Sequence, residues 1–86
     1  MFLTSFCGHS EWERHPAGDE LVQVVEGRAE LEVLSGGERV ALPIASGSFT
    51  VVPAGTWHRF HAPTGVAVLT VTPQPTDHVR SGDPPR

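Results

Sequence analysis

Gly47-Ser48-Phe49-Thr50-Val51-Val52-Pro53-Ala54-Gly55-Thr56-Trp57-His58 reads as a strand, a tight bend and the opening of a second strand. Phe49–Val52 is aromatic and β-branched, a composition that fits a pleated, half-buried surface. Pro53 fixes φ ahead of the bend, and Gly55 supplies the positive φ that completes it. In the strand that follows, side chains alternate, so His58 shares a face with Thr56 and Phe60 and opposes Trp57, Arg59 and His61.

The same grammar runs through most of the 86 residues. Eleven Val and seven Thr are punctuated by Gly and Pro every six to ten positions, with no helical period. The expected strands are 3–6, 11–15, 20–26, 29–34, 39–42, 49–52, 57–60 and 66–72. Turns are expected at 16–18, Gly27, 35–37, 46–48, 53–55 and 63–65. Eight short, evenly spaced strands predict an all-β domain with a closed or double-sheet architecture. Ala29, Leu31 and Val33 should face the core while Glu30 and Glu32 face away, and Glu26, Glu30, Glu32 and Glu38 form a solvated charged face. Residues 1–72 make one domain. From Pro73 to Arg86 four prolines and few apolar side chains predict a loose tail.

A second stretch carries the remaining chemistry: Trp12-Glu13-Arg14-His15-Pro16-Ala17-Gly18-Asp19-Glu20. Glu13 and His15 stand two apart in a strand and project from one face. Glu20 shares its face with Val22 and Val24, which turns it inward. A slip of one residue would exchange it with Asp19, which otherwise faces solvent or stabilises the turn.

These two segments resemble the paired motifs of the cupin superfamily. Gly47, Pro53, Gly55 and His58 fall at the spacings of its second motif, with Ala62 at the place of the final Asn. His15, Glu20 and Gly27 fit its first motif, with Glu13 at the place of the first His and Gly8 one residue too near to be the leading Gly. The stretch Trp12–Glu20 is similar to a variant found among small single-domain cupins. The resemblance covers roughly residues 11 to 62 and implies a small double-stranded β-helix, or jelly-roll, barrel. It also implies a first-row transition metal with open coordination positions.

On the residues themselves, two imidazoles and two carboxylates converging in an apolar interior are costly to bury unpaired, and a divalent cation removes that cost. Glu13, His15, Glu20 and His58 are therefore the expected metal ligands. Mn, Fe, Ni or Zn would each suit an N2O2 set with room for water. Glu13 has two readings: a carboxylate standing in for an imidazole ligand, or a group that binds a side chain or substrate in a barrel that has lost tight metal binding. If it can leave the metal, it is the candidate general base. Trp12 and Trp57 should pack between sheets or at a dimer contact, and Phe49 and Phe60 in the core or the pocket wall. Arg59 and His61 should serve the surface or an interface, and no role is expected for Cys7, His9 or His78.

Composition narrows the function. A formal charge of −4 with no basic stripe argues against nucleic acid, and no apolar run approaches a membrane span. With no signal-peptide pattern at the N-terminus, a cytoplasmic protein is expected. One cysteine rules out an internal disulfide, which leaves a metal or a partner subunit to support so small a core. Lys and Tyr are absent, which removes Schiff-base chemistry and the Tyr-dependent sugar-epimerase and cysteine-oxidising kinds of cupin. The leading expectation is a metal-binding cupin acting on a small organic molecule by oxygenase- or isomerase-type chemistry. The alternatives are a non-catalytic small-molecule-binding module and a structural homodimeric module with a vestigial site.

Overall fold

Two long strands form the spine of the molecule. In the computed structural model, which describes residues 1–80, β3 (Glu20–Ser35) and β6 (His58–Val71) pair antiparallel from Leu21↔Val71 to Val33↔His58. The sequence reading divided each of them in two, at Gly27 and at 63–65. Both strands instead bend at those points. Gly27 (φ +83°) pairs with Val66 beside Gly65 (φ +94°), and a Cβ at Gly27 would lie 2.5 Å from the Gly65 carbonyl oxygen. Positive φ and this close approach let the ladder shift register and fold over without ending.

The other strands attach to the halves of that spine. β4 (Glu38–Ala45) pairs with the second half of β3, β5 (Phe49–Val52) with its first half, and β1 (Phe2–His9) with β6. β2 (Trp12–Arg14) lies between β6 and β7 (Asp77–Val79), so the described residues hold seven strands and no helix.

Alternation places the core inside this folded-over sheet, as the sequence predicts. Val22, Val24, Ala29, Leu31, Val52, Phe60, Val66 and Val68 are buried together, with Phe6 and Val33 packed against them. Edge position overrides apolarity at Phe49, which is 61% exposed and belongs to neither core nor pocket wall.

Three expectations for the outer face and the C-terminal segment need correction. Arg59, expected at the surface or an interface, is buried at 4.9 Å over the ring of Trp12, with Arg39 at 5.8 Å; Trp12 itself is fully buried, in keeping with packing between sheets and not with a dimer contact. Glu32 is buried as well, because Arg59 Nε donates to its Oε2 (2.5 Å) and Arg39 Nε to its Oε1 (2.9 Å). Burial raises the Glu32 carboxyl pKa, but the two guanidinium groups outweigh it and hold the group below its ordinary range. Nor is the segment after Pro73 all loose. β7 forms because both nearby prolines precede it and take no place in its ladder, and because Arg14 Nε donates to Asp77 Oδ2 at 2.7 Å. Residues 81–86 of the expected tail lie outside the described residues.

Candidate metal centre

β2 and β6 bring the first two site residues together, since Glu13 is the register partner of His58. His15 follows in the turn after β2, and Glu20 opens β3 on the same inner face as Val22 and Val24. One ligand atom each from Glu13, His15 and His58 all lie within 4.8 Å of one another. The His15 and His58 rings stand 5.2 Å apart.

Glu20 links the two imidazoles. His58 Nε2 donates to Glu20 Oε1 at 3.0 Å, Thr72 Oγ1 donates to Oε2 at 2.6 Å, and His15 Nε2 lies 3.2 Å from Oε2. Asp19 is turned elsewhere, its Oδ1 accepting the Ala54 N–H at 2.9 Å. This capping of the Pro53–Gly55 bend keeps the register that points Glu20 inward.

The electrostatics follow from burial and these bonds. Burial pushes the Glu20 carboxyl up, yet the hydrogen bonds from His58 and Thr72 outweigh it and leave the group below its ordinary value. Burial likewise pushes His58 down, and the bond to Glu20 with that to the Thr56 carbonyl more than reverses it. Because Nδ1 of His58 donates to Thr56 O (2.9 Å) and Nε2 donates to a carboxylate, the ring in this arrangement carries both protons. Glu13, with a side chain one-third exposed, has its pKa raised chiefly by burial.

His15 Nε2 is buried without a hydrogen-bond partner, although it faces the cluster. Its Nδ1 is engaged by Thr76 Oγ1 at 2.9 Å, and in the tautomer that donates this bond Nε2 is available as a lone-pair donor. An orphaned imidazole nitrogen beside a second imidazole and two carboxylates is a donor set that fits a divalent transition ion.

Glu13 and Glu20 of the cluster line a cavity of about 510 Å³, with His15 and His58 outside its lining. Phe2, Thr4 and Phe6 of β1, and Phe60, Val68, Thr70 and Thr72 along β6 and just beyond it, form much of its wall. Gln74, Thr76 and His78 close another side, and His78 Nδ1 lies 3.1 Å from Glu11 Oε2 and 3.8 Å from Glu13 Oε1. Sequence reasoning gave His78 and Thr76 no part in the site. The only signal for them was the alternation of Gln74, Thr76 and His78, which the surrounding prolines obscured. His9 also reaches the cavity wall and stacks on His61, with ring centroids 3.9 Å apart.

Comparison with known proteins identifies the family and the fold. The model of the Cupin domain family matches residues 7–72. Acireductone dioxygenase of Rhodopseudomonas palustris is 43% identical over 49 residues, a stretch that covers 57% of this chain but only 29% of that enzyme. A cupin-2 domain containing protein from Shewanella frigidimarina superposes with a TM-score of 0.67 at 24% identity, over 84% of this chain and 67% of that one. Bacillus subtilis oxalate decarboxylase, a protein with Mn(II) centres, gives a TM-score of 0.79 at 16% identity, over 90% of this chain and 22% of that one. Since the family match takes in the greater part of the sequence, and the solved structures share its barrel, this protein belongs to the cupin domain family.

Proposed function

We propose that the protein binds one divalent transition metal through His15, His58, Glu13 and Glu20 and acts there on a small organic molecule. The observation that carries this reading is the buried Nε2 of His15, which makes no hydrogen bond yet lies 3.2 Å from Glu20 Oε2 and 3.9 Å from Glu13 Oε2, in a ring held by Thr76 beside His58. A bound first-row ion would polarise an oxygen of the substrate and, as Mn or Fe, make redox chemistry available. The barrel walls bind and orient the molecule. Glu13 is the proposed general base when it leaves the metal: burial raises its pKa above the ordinary carboxylate value, and its side chain is one-third exposed where those of the other three are buried. The 43% identity to a dioxygenase favours oxygenase-type over isomerase-type chemistry.

Elemental analysis of purified, reconstituted protein tests the reading. Close to one metal per chain is expected, falling to near zero in His58→Ala. Under about 0.1 metal per chain in the wild type would leave a non-catalytic binding module as the better account. Glu13→Gln should retain metal and lose turnover once a substrate is found; unchanged turnover would remove the base assignment.

Two further results are expected at this site. Thr76→Val removes the hydroxyl that holds His15 Nδ1 and should weaken metal binding about tenfold, as loss of such supporting bonds does elsewhere. Calorimetric titration measures it, and Thr76→Ser should restore the affinity. The second concerns pH. The raised pKa of His58 means that its contribution to the stability of metal-free protein is full below the unfolded value of 6.5 and is lost as pH rises through the folded value. Metal needs the same nitrogen unprotonated, so metal affinity should climb through that window while metal-free stability declines. Denaturation curves in chelator, set beside metal titrations at matched pH, would show the two trends crossing.

We also propose a homodimer. Leu3, Phe49, Val51 and Val71 are exposed apolar residues, and Val51 and Val71 both pair with Leu21 across the ladder, an arrangement suited to a second copy. Light scattering across a concentration series decides it, with a persistent monomer as the adverse result.

A further inference from the structure

The cavity in front of the cluster has a wall of unusual charge. Glu13 and Glu20 both line it, and none of the arginines among the described residues does. Arg14 pairs with Asp77, Arg39 and Arg59 with Glu32, and Arg80 with Glu11, and none of these four arginines lines the cavity. The two histidines on the wall add no free cation either. His78 faces the carboxylates of Glu11 and Glu13, and His9 lies flat on His61 with an interplanar angle of 3°, a stack that two imidazolium rings would resist.

Two ionised carboxylates balance a divalent ion completely, so the loaded site is close to neutral. Replacing the first imidazole of the motif by Glu13 is what brings it there. An anionic group entering this cavity would lose part of its hydration and find no arginine on the wall to compensate it, and an anion desolvated without a partner is expensive. The rest of the wall has two chemistries: the rings of Phe2, Phe6 and Phe60, and the hydroxyls of Thr4, Thr70 and Thr72.

Resting on the metal reading above, we infer that the cavity selects uncharged molecules that combine adjacent hydroxyl or carbonyl oxygens with an apolar or aromatic body, and discriminates against carboxylates and phosphates. The oxygens meet the threonine hydroxyls and the metal, and the body lies against the phenylalanines. Selectivity of this kind comes as much from what the wall withholds as from what it offers.

A matched pair of probes tests the inference on zinc-loaded protein. 2-Hydroxy-1-phenylethanone and mandelate share a phenyl ring and adjacent oxygens, and only mandelate is an anion. Calorimetry should show the neutral probe binding about tenfold or more tighter, against the preference of free zinc for carboxylates. Gln74 lines the cavity and is exposed, so Gln74→Arg can place a cation on the rim without disturbing the core. That variant should improve mandelate binding about fivefold relative to the neutral probe. Equal or tighter binding of mandelate by the wild type, no binding of the neutral probe, or a ratio unmoved by Gln74→Arg would each overturn the inference while leaving the metal reading intact. A protein that takes up no zinc or manganese in the preceding titration sinks both.

Discussion

Glu20→Ala is expected to cost the metal-free protein about 3–5 kcal/mol of folding stability, the loss typical when one member of a buried charged pair is removed. The Glu20 carboxylate is only 4% exposed and receives hydrogen bonds from His58 and Thr72 while lying beside His15. Without it, the doubly protonated His58 ring keeps its bond to the Thr56 carbonyl but loses the anion that balances it. The His58 pKa should then fall, since burial alone pushes it down. Glu13→Ala provides the contrast. That carboxylate is one-third exposed and is held protonated to higher pH by burial, so its removal should change stability by less than about 1 kcal/mol. Urea denaturation in the presence of chelator measures both. If the two substitutions cost the same, Glu20 is not the residue that holds the histidines together.

Trp12→Ala should be comparably severe by a different route, with a loss of about 3–5 kcal/mol from the cavity left by a large side chain. The indole is completely buried on the side of β2 that faces away from the metal centre, beneath Arg59 and Arg39. Its removal would also uncover the Glu32 ion pairs to water and weaken them. Trp12→Phe keeps most of the volume and should recover the greater part of the loss. A urea midpoint for Trp12→Ala within error of the wild type would show that the arginines collapse over the gap. Metal content of the folded fraction should be unchanged, because alternation along β2 puts the indole on the opposite side of the strand from Glu13.

The inner face was legible because a strand's two-residue period allows little freedom once one face is buried. Glu20 with Val22 and Val24, and His58 with Phe60, could be placed from spacing alone, and the Pro53–Gly55 bend fixed the strand that carries His58. The outer face was harder to read. Glu32, Arg39 and Arg59 look like solvated charges in a sequence, and nothing local shows that the first is gripped by the other two under a tryptophan. Gly27 and Gly65 announce positive φ, but whether such a residue ends a strand or folds it depends on the close approach of the two chains, which only the tertiary pairing sets. β7 was hidden by composition: its prolines argue against a strand, and its pairing with β2 draws on partners some 60 residues distant. Phe49 was misplaced because an edge strand can leave an aromatic ring in water without penalty to the ladder.

The pairing of β2 with β7 also bears on the order of assembly. Arg14 meets Asp77 across 63 positions and His15 meets Thr76 across 61, so the geometry of the cluster waits for the closure of a long loop. Topologies dominated by such distant partners collapse slowly, on a scale of about milliseconds to seconds. On the metal reading proposed above, an ion would meet a cradle already built, and its uptake should trail the refolding signal instead of nucleating it.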